Sequence, residues 1–276
     1  MPGYSPKRSP YGIGQSEGIV SAFRTRTVAS SAPYLIPYIQ PDSRILDVGC
    51  GPGSITIDFA RIAHEGHTTG VDTAAAVDTL QKARADARIA GISNVDFVIG
   101  DAHHLPFADG TFDIAHSHQV LQHVADPVAV LREMRRVTKR GGVVACCETD
   151  NDVLVYYPLY EGIEAYCRTF KDAIRARGLE PVSGRRVHAW ARQAGFDPAR
   201  MQTSTRNWVF RTPAERQVWG ALNLEIVKKS EYAAVVVQHG LASAEALEEM
   251  KEAWRDWVVD EDGLAVIMNM ELLCQV

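Results

Sequence analysis

Short apolar runs alternate with amphipathic stretches over the first half of the chain, and this alternation predicts its fold. The run Arg44–Val48 is apolar and ends in glycines, as a strand covered on both faces does. Positions 54–64 then carry apolar residues at helical spacing. Positions 68–71 predict a second strand, and positions 74–90 a helix that stops at Gly91. A third strand is expected at 95–99 and a fourth at 112–116, after an Asp109-Gly110 turn. A helix follows at 128–138, closed by Gly141-Gly142, and then a fifth strand at 143–147. Strands that alternate with helices of this length imply an α/β fold. Its sheet should be doubly wound and mainly parallel, with helices on both faces and right-handed crossovers.

Beyond Glu148 the rhythm changes. Helices are expected at 156–177, 185–194, 213–229 and 243–258, with strands at 201–209 and 265–276. The helix at 213 has the clearest start, Thr212-Pro213-Ala214-Glu215, with a capping Thr, Pro at the first position and a capping-box Glu. The last two strands bring the sheet to seven. Residues 1–16 read as a loose arm, and Glu17–Ile39 as a helix broken by Pro33 and Pro37. The expected division is an N-terminal cover over 1–40, a nucleotide-binding core over 41–150, and the rest of the sheet with helical cap insertions over 151–276.

Composition narrows the function classes. The net charge is −5, hydrophobic residues make up 46%, and no uninterrupted apolar run is long enough to span a bilayer. The first residues carry charge but no apolar stretch behind it, unlike a secretory signal. Five cysteines (Cys50, Cys146, Cys147, Cys167, Cys274) form no C-x-x-C pair, so buried reduced thiols and a cytoplasmic location are expected. His103-His104, His116-x-His118 and His123 lack metal-ligand spacing, and no metal is expected. Arg132, Arg135, Arg136, Lys139 and Arg140 read as the solvated face of one helix rather than a nucleic-acid footprint. The expected partner is a small-molecule acceptor, without nucleic acid or a membrane span. A homodimer is a candidate assembly.

The candidate chemistry gathers at strand ends. Asp47-x-Gly49-x-Gly51-x-Gly53 lies between a strand and a helix, where glycines let the chain turn sharply and a ligand approach the backbone. Asp72 closes the second strand, where a carboxylate can accept both ribose hydroxyls of a nucleoside. Asp101 closes the third, where it can reach an adenine amino group while the Ala102 N–H meets a ring nitrogen. Each Asp alone could be a turn cap; three in succession point to a nucleoside. A dinucleotide oxidoreductase would want a glycine at position 54, which is Ser54.

The stretch from Ile45 to Gly53 resembles motif I of class I S-adenosylmethionine-dependent methyltransferases. Gly100-Asp101-Ala102-His103-His104-Leu105-Pro106-Phe107 and the residues to Asp113 resemble the corresponding block of the quinone-biosynthesis (UbiE-type) branch. So do Leu121–Pro127 and Leu131–Val137. The resemblance covers roughly residues 40–150. It implies S-adenosylmethionine as methyl donor, S-adenosylhomocysteine as product, and a small, partly apolar acceptor such as a quinone, polyketide or alkaloid. By position, Asp47, Gly49, Gly51 and Gly53 would belong to the cofactor loop, with the glycines around the methionine part. Asp72 with Thr73 would hold the ribose, Asp101 and Ala102 the adenine, and His118 and Gln119 would flank the sulfonium. Arg26 would meet the cofactor carboxylate. His118 and His123 are candidate bases, and Glu148 a candidate acceptor ligand that can equally pair with a cap arginine. A protein of this fold that binds the cofactor but catalyses another reaction, or regulates, stays open.

Overall fold

The apolar run Arg44–Val48 forms β1, buried at every residue after Arg44 because strands flank it and helices cover both of its faces. The computed structural model describes residue 20 and residues 23–229 and 231–276. The arm expected over 1–16 and the start of the helix expected from Glu17 lie outside them. The elements run α1 (Val28–Ser31), a 3₁₀ turn (Pro33–Tyr38), β1 (Arg44–Val48), α2 (Ser54–Ile62), β2 (His67–Asp72), α3 (Val77–Ile89), β3 (Val95–Ile99), β4 (Phe112–His118), α4 (Pro127–Val137), β5 (Thr138–Tyr157), α5 (Glu161–Ala176), α6 (Val187–Gln193), β6 (Met201–Phe210), α7 (Pro213–Lys229), α8 (Glu231–Gln238), α9 (Ala244–Val259) and β7 (Leu264–Gln275).

The seven strands lie in the order β3-β2-β1-β4-β5-β7-β6. β1 to β5 pair in parallel, and β7 runs antiparallel to both β5 and β6. Successive β1 residues point to opposite faces. Ile45 packs with Val28 and Phe59 under α1 and α2, while Leu46 packs with Leu131, Met134 and Trp190 under α4 and α6. The order of the sheet reverses at β1 and β4, and ligands of open α/β sheets bind beyond the carboxyl ends of strands at such a reversal.

The departures from expectation lie after Glu148. β5 does not stop at Cys147 but continues to Tyr157, so the boundary expected at 150/151 cuts a strand. Its far half pairs with β7 past an irregularity: Thr149 is opposite Asn269, while Leu154 is opposite Ile267. The extra residues on the β5 side bend the strand away from the core, as a bulge does. Tyr156 and Tyr157, expected in a helix, belong to this extension, and α5 starts only at Glu161. α8 was not expected at all. With α5, α7 and α9 it forms a cap with its own apolar cluster around the fully buried Trp254 and Trp257. Tyr166 meets Trp254 edge-on, with centroids 5.5 Å apart.

Candidate functional site

Between β1 and α2 the chain turns through three glycines of positive φ: Gly49 (69°), Gly51 (50°) and Gly53 (78°). The Gly49 and Cys50 N–H groups both donate to the Val71 carbonyl, pinning the turn to β2. The three glycines serve different ends. A Cβ on Gly49 would lie 2.4 Å from Val120 Cγ2, and one on Gly53 2.6 Å from the Phe97 ring; one on Gly51 would meet nothing within 4 Å. Gly49 and Gly53 therefore allow packing, whereas Gly51 opens onto a cavity between the glycine turn, Asp72 and His118. The N-terminus of α2, which has no side-chain cap, also faces this cavity through Ser54 and Ile55.

Asp72, at the end of β2, is buried against the same cavity. Its Oδ2 accepts from the Gly51 N–H and its Oδ1 from the Thr73 N–H, both at 2.7 Å. These bonds fix the plane of the carboxylate. Beside it, Thr73 Oγ1 is buried with no protein partner, as is His118 Nε2 across the cavity. Orphaned polar atoms on the wall of an apolar cleft fit a polar ligand that supplies their missing bonds.

Two expected cofactor residues are used otherwise. The Asp101 side chain is 61% exposed and accepts from the backbone N–H and ring Nδ1 of His103. It does not line the cavity, whose wall there is Gly100 and Ala102. The cause is local: His103 lies two residues on, within reach of an Asx-type turn. Burial acts to raise the Asp101 carboxyl, but its bonds and charge contacts with His103 and His104 together hold it below its usual range. Asp47 touches the cavity, but its carboxylate is committed. It accepts from Thr56 Oγ1 at 2.6 Å and His116 Nδ1 at 2.8 Å, tying α2 and β4 to β1.

At the end of β4, Gln119 has the one positive φ among described non-glycine residues, 55°. The turn aims its side chain across the sheet. Its Nε2 donates to Thr149 Oγ1 (2.5 Å) and Asn269 Oδ1 (3.1 Å), and its Oε1 accepts from Arg26 Nη2 (2.8 Å). Arg26 Nη1 lies 3.3 Å from His118 Nδ1. A guanidinium can only donate, so Nδ1 is the acceptor and the His118 hydrogen sits on Nε2. Trp208 stacks on the other side of the His118 ring, 5.7 Å away. Burial, and then the Arg26 charge, hold His118 well below its ordinary pKa. Its Nδ1 is thus already engaged by Arg26.

A second, smaller chamber adjoins the first. Phe23, Arg26, Gln119 and His123 line both. The remaining walls come from the β5 extension, β6, β7, α5 and α7, and are mostly apolar and aromatic: Leu154, Tyr166, Phe170, Trp208, Leu222 and Ile226 among them. Trp208 and Trp219 face this chamber with Tyr156 and Tyr166, while Trp254 and Trp257 are core. Thr149 and Asn269, which hold Gln119, were missed. The signal for Asn269 was a lone amide in the apolar run Ala265–Met270.

Glu148 lines neither chamber. It is fully buried, accepting from the N–H groups of Val120, Leu121 and Gln122 and from Ser183 Oγ. It caps the turn after β4, and burial pushes its carboxyl up to about 7 despite those bonds. The cap arginine Arg185 pairs instead with Asp150. His123 does sit at the junction of the chambers, its pKa lowered to about 4 by burial and then by Arg177 and Arg26. Among the described residues no group of three side chains is placed to hold a metal ion.

A family described as a methyltransferase domain matches residues 39–195. The uncharacterized methyltransferase C1B3.06c of Schizosaccharomyces pombe is 33% identical, the match covering 92% of this chain and 91% of that protein. A demethylmenaquinone methyltransferase of Staphylococcus epidermidis is 32% identical over 60% of this chain and 65% of its own length. Among solved structures, a putative methyltransferase from Bacillus halodurans superposes with a TM-score of 0.55 at 16% identity, covering 94% of this chain and 99% of that one.

Proposed function

The chain belongs to the methyltransferase-domain family, and we propose that it moves a methyl group from S-adenosylmethionine to a small, partly apolar aromatic acceptor held in the second chamber. The observation that carries this reading is the shared wall of Phe23, Arg26, Gln119 and His123, which lets two ligands lie against each other. S-adenosylmethionine supplies, when bound, a methyl group already activated on a sulfonium.

The residues present fit such a cofactor. The Asp72 carboxylate, held by Gly51 and Thr73, accepts from ribose hydroxyls, with Thr73 Oγ1 beside it. Ala102 and Gly100 offer backbone to the adenine edge. Gly51 and the uncapped start of α2 give the methionine part an open backbone cradle and N–H donors for its carboxylate. His118 donates from Nε2, and Gln119 is fixed by Thr149 and Asn269.

What remains for the chain is alignment and the exclusion of water. His118 Nδ1 already accepts from Arg26, Glu148 is bonded to backbone N–H groups, and a His123 with a pKa of about 4 takes up a proton only weakly near neutral pH. Catalysis here rests on placement, with no strong side-chain base. The test is calorimetric titration of S-adenosylhomocysteine, followed by an assay of its release from S-adenosylmethionine against a panel of aromatic acceptors. Stabilisation by NAD(H) and none by S-adenosylmethionine would sink the reading.

A further inference from the structure

Resting on the reading of the second chamber as the acceptor site, we propose that Arg26 is the acceptor's oxyanion site, so that the chamber selects a flat aromatic acceptor with an ionised oxygen substituent. Among the described residues lining the chamber there is no Asp or Glu, and Arg26 is the only Arg or Lys. An apolar chamber with one cation and no acid favours a negatively charged guest. The guanidinium is also incompletely used. Among the described residues its hydrogen bonds go to two neutral acceptors, His118 Nδ1 and Gln119 Oε1, out of about five N–H donors.

The guanidinium is held in place. It lies 4.2 Å from the Phe23 ring centroid and 5.1 Å from that of Trp208. Gln119, which grips Nη2, is itself gripped by Thr149 and Asn269. Trp208 and Thr149 belong to the wall of the acceptor chamber and not of the cofactor cavity. In the proposed reading the uncapped start of α2 would offer N–H donors to the cofactor's carboxylate. Burial lowers the Arg26 pKa to about 10, as for a desolvated cation with no carboxylate partner among the described residues. An incoming oxyanion would make charge-assisted bonds there and offset that desolvation.

The experiment compares matched probes by calorimetry, with and without S-adenosylhomocysteine. They are 2-naphthoate against 2-naphthamide for a carboxylate, and 2,4-dinitrophenolate against 2,4-dinitroaniline for an ionised hydroxyl. At least one anion should bind about tenfold or more tighter than its neutral partner, and the arm that shows the preference identifies the group. Arg26→Met should abolish the preference, and Arg26→Lys should keep part of it. If Arg26→Met fails to fold by circular dichroism, Gln119→Leu replaces it and should reduce the preference about threefold or more. The proposal is overturned if neither anion is preferred by the wild-type protein, or if the preference survives loss of the guanidinium. A selective loss of S-adenosylhomocysteine affinity with the preference intact would likewise overturn it, returning Arg26 to the cofactor carboxylate. Absence of S-adenosylhomocysteine binding by the wild-type protein would instead sink the methyltransferase reading, and the probe comparison without it reports on Arg26 separately.

Discussion

At the scale of single residues, acidic side chains that look alike in sequence do different work. Asp72 holds the cofactor loop and faces the cavity. Asp72→Ala should weaken S-adenosylhomocysteine about a hundredfold in calorimetry, since two ribose hydroxyls lose their acceptor; unchanged affinity would mean the ribose lies elsewhere. Glu148 supports the fold. Glu148→Ala leaves three backbone N–H groups without their acceptor, while the Ser183 hydroxyl keeps the Thr149 carbonyl. It should cost on the order of 3 kcal/mol in chemical denaturation, whereas a ligand role would change acceptor affinity at constant stability. Buried Glu148 and half-buried His123 act in opposite directions with pH. Glu148 rises from 4.5 to about 7 in the fold, so its contribution is complete below pH 4.5 and lost as pH climbs through 7. His123 falls from 6.5 to about 4, so its contribution is complete above pH 6.5 and lost as pH drops through 4. Wild type minus His123→Gln isolates the second. That difference in unfolding free energy should grow by about 2–3 kcal/mol from pH 4 to pH 6.5 and then level off; a flat difference would show that His123 is well solvated.

At the scale of elements, the glycine turn separates packing from binding. Gly49→Ala brings a methyl against Val120 at a positive φ, and should lower stability by about 2–3 kcal/mol. Gly51→Ala pays only the backbone term, about 1 kcal/mol, but sets its methyl in the cofactor cavity. Its expected signature is a modest change in melting temperature and a large loss of S-adenosylhomocysteine affinity. Equal behaviour of the two variants would refute the division. The strands and helices up to Cys147 were legible because each buries a face in a pattern of fixed period. The β5 extension was not, because Asp150–Asp152 interrupts its apolar run; these residues fall in the irregularity, and pairing with β7 resumes only at Leu154. α8 was missed for a related reason. Its Ala233-Val235-Val237 stretch is rich in β-branched residues, and packing against α5 and α7 overrides that preference.

At the scale of the whole molecule, the two chambers arise because a cap with its own core stands over the carboxyl ends of the strands. A cofactor that binds only the folded chain must stabilise it by mass action. S-adenosylhomocysteine at about a hundred times its Kd should add ~2.7 kcal/mol, or several degrees in melting temperature for a chain of this size, whereas NAD(H) should add nothing. The sequence by itself determined the parallel sheet, the glycine loop and Asp72 at its strand end. Each follows from local periodicity or from backbone freedom at a named position. Tertiary structure alone decided that Asp101 turns to His103, that Glu148 caps backbone instead of facing an acceptor, and that Arg26, Gln119, Thr149 and Asn269 meet across the sheet. A carboxylate or amide takes whichever donor folding brings nearest, and partners as much as 150 positions apart leave no period in the chain that joins them.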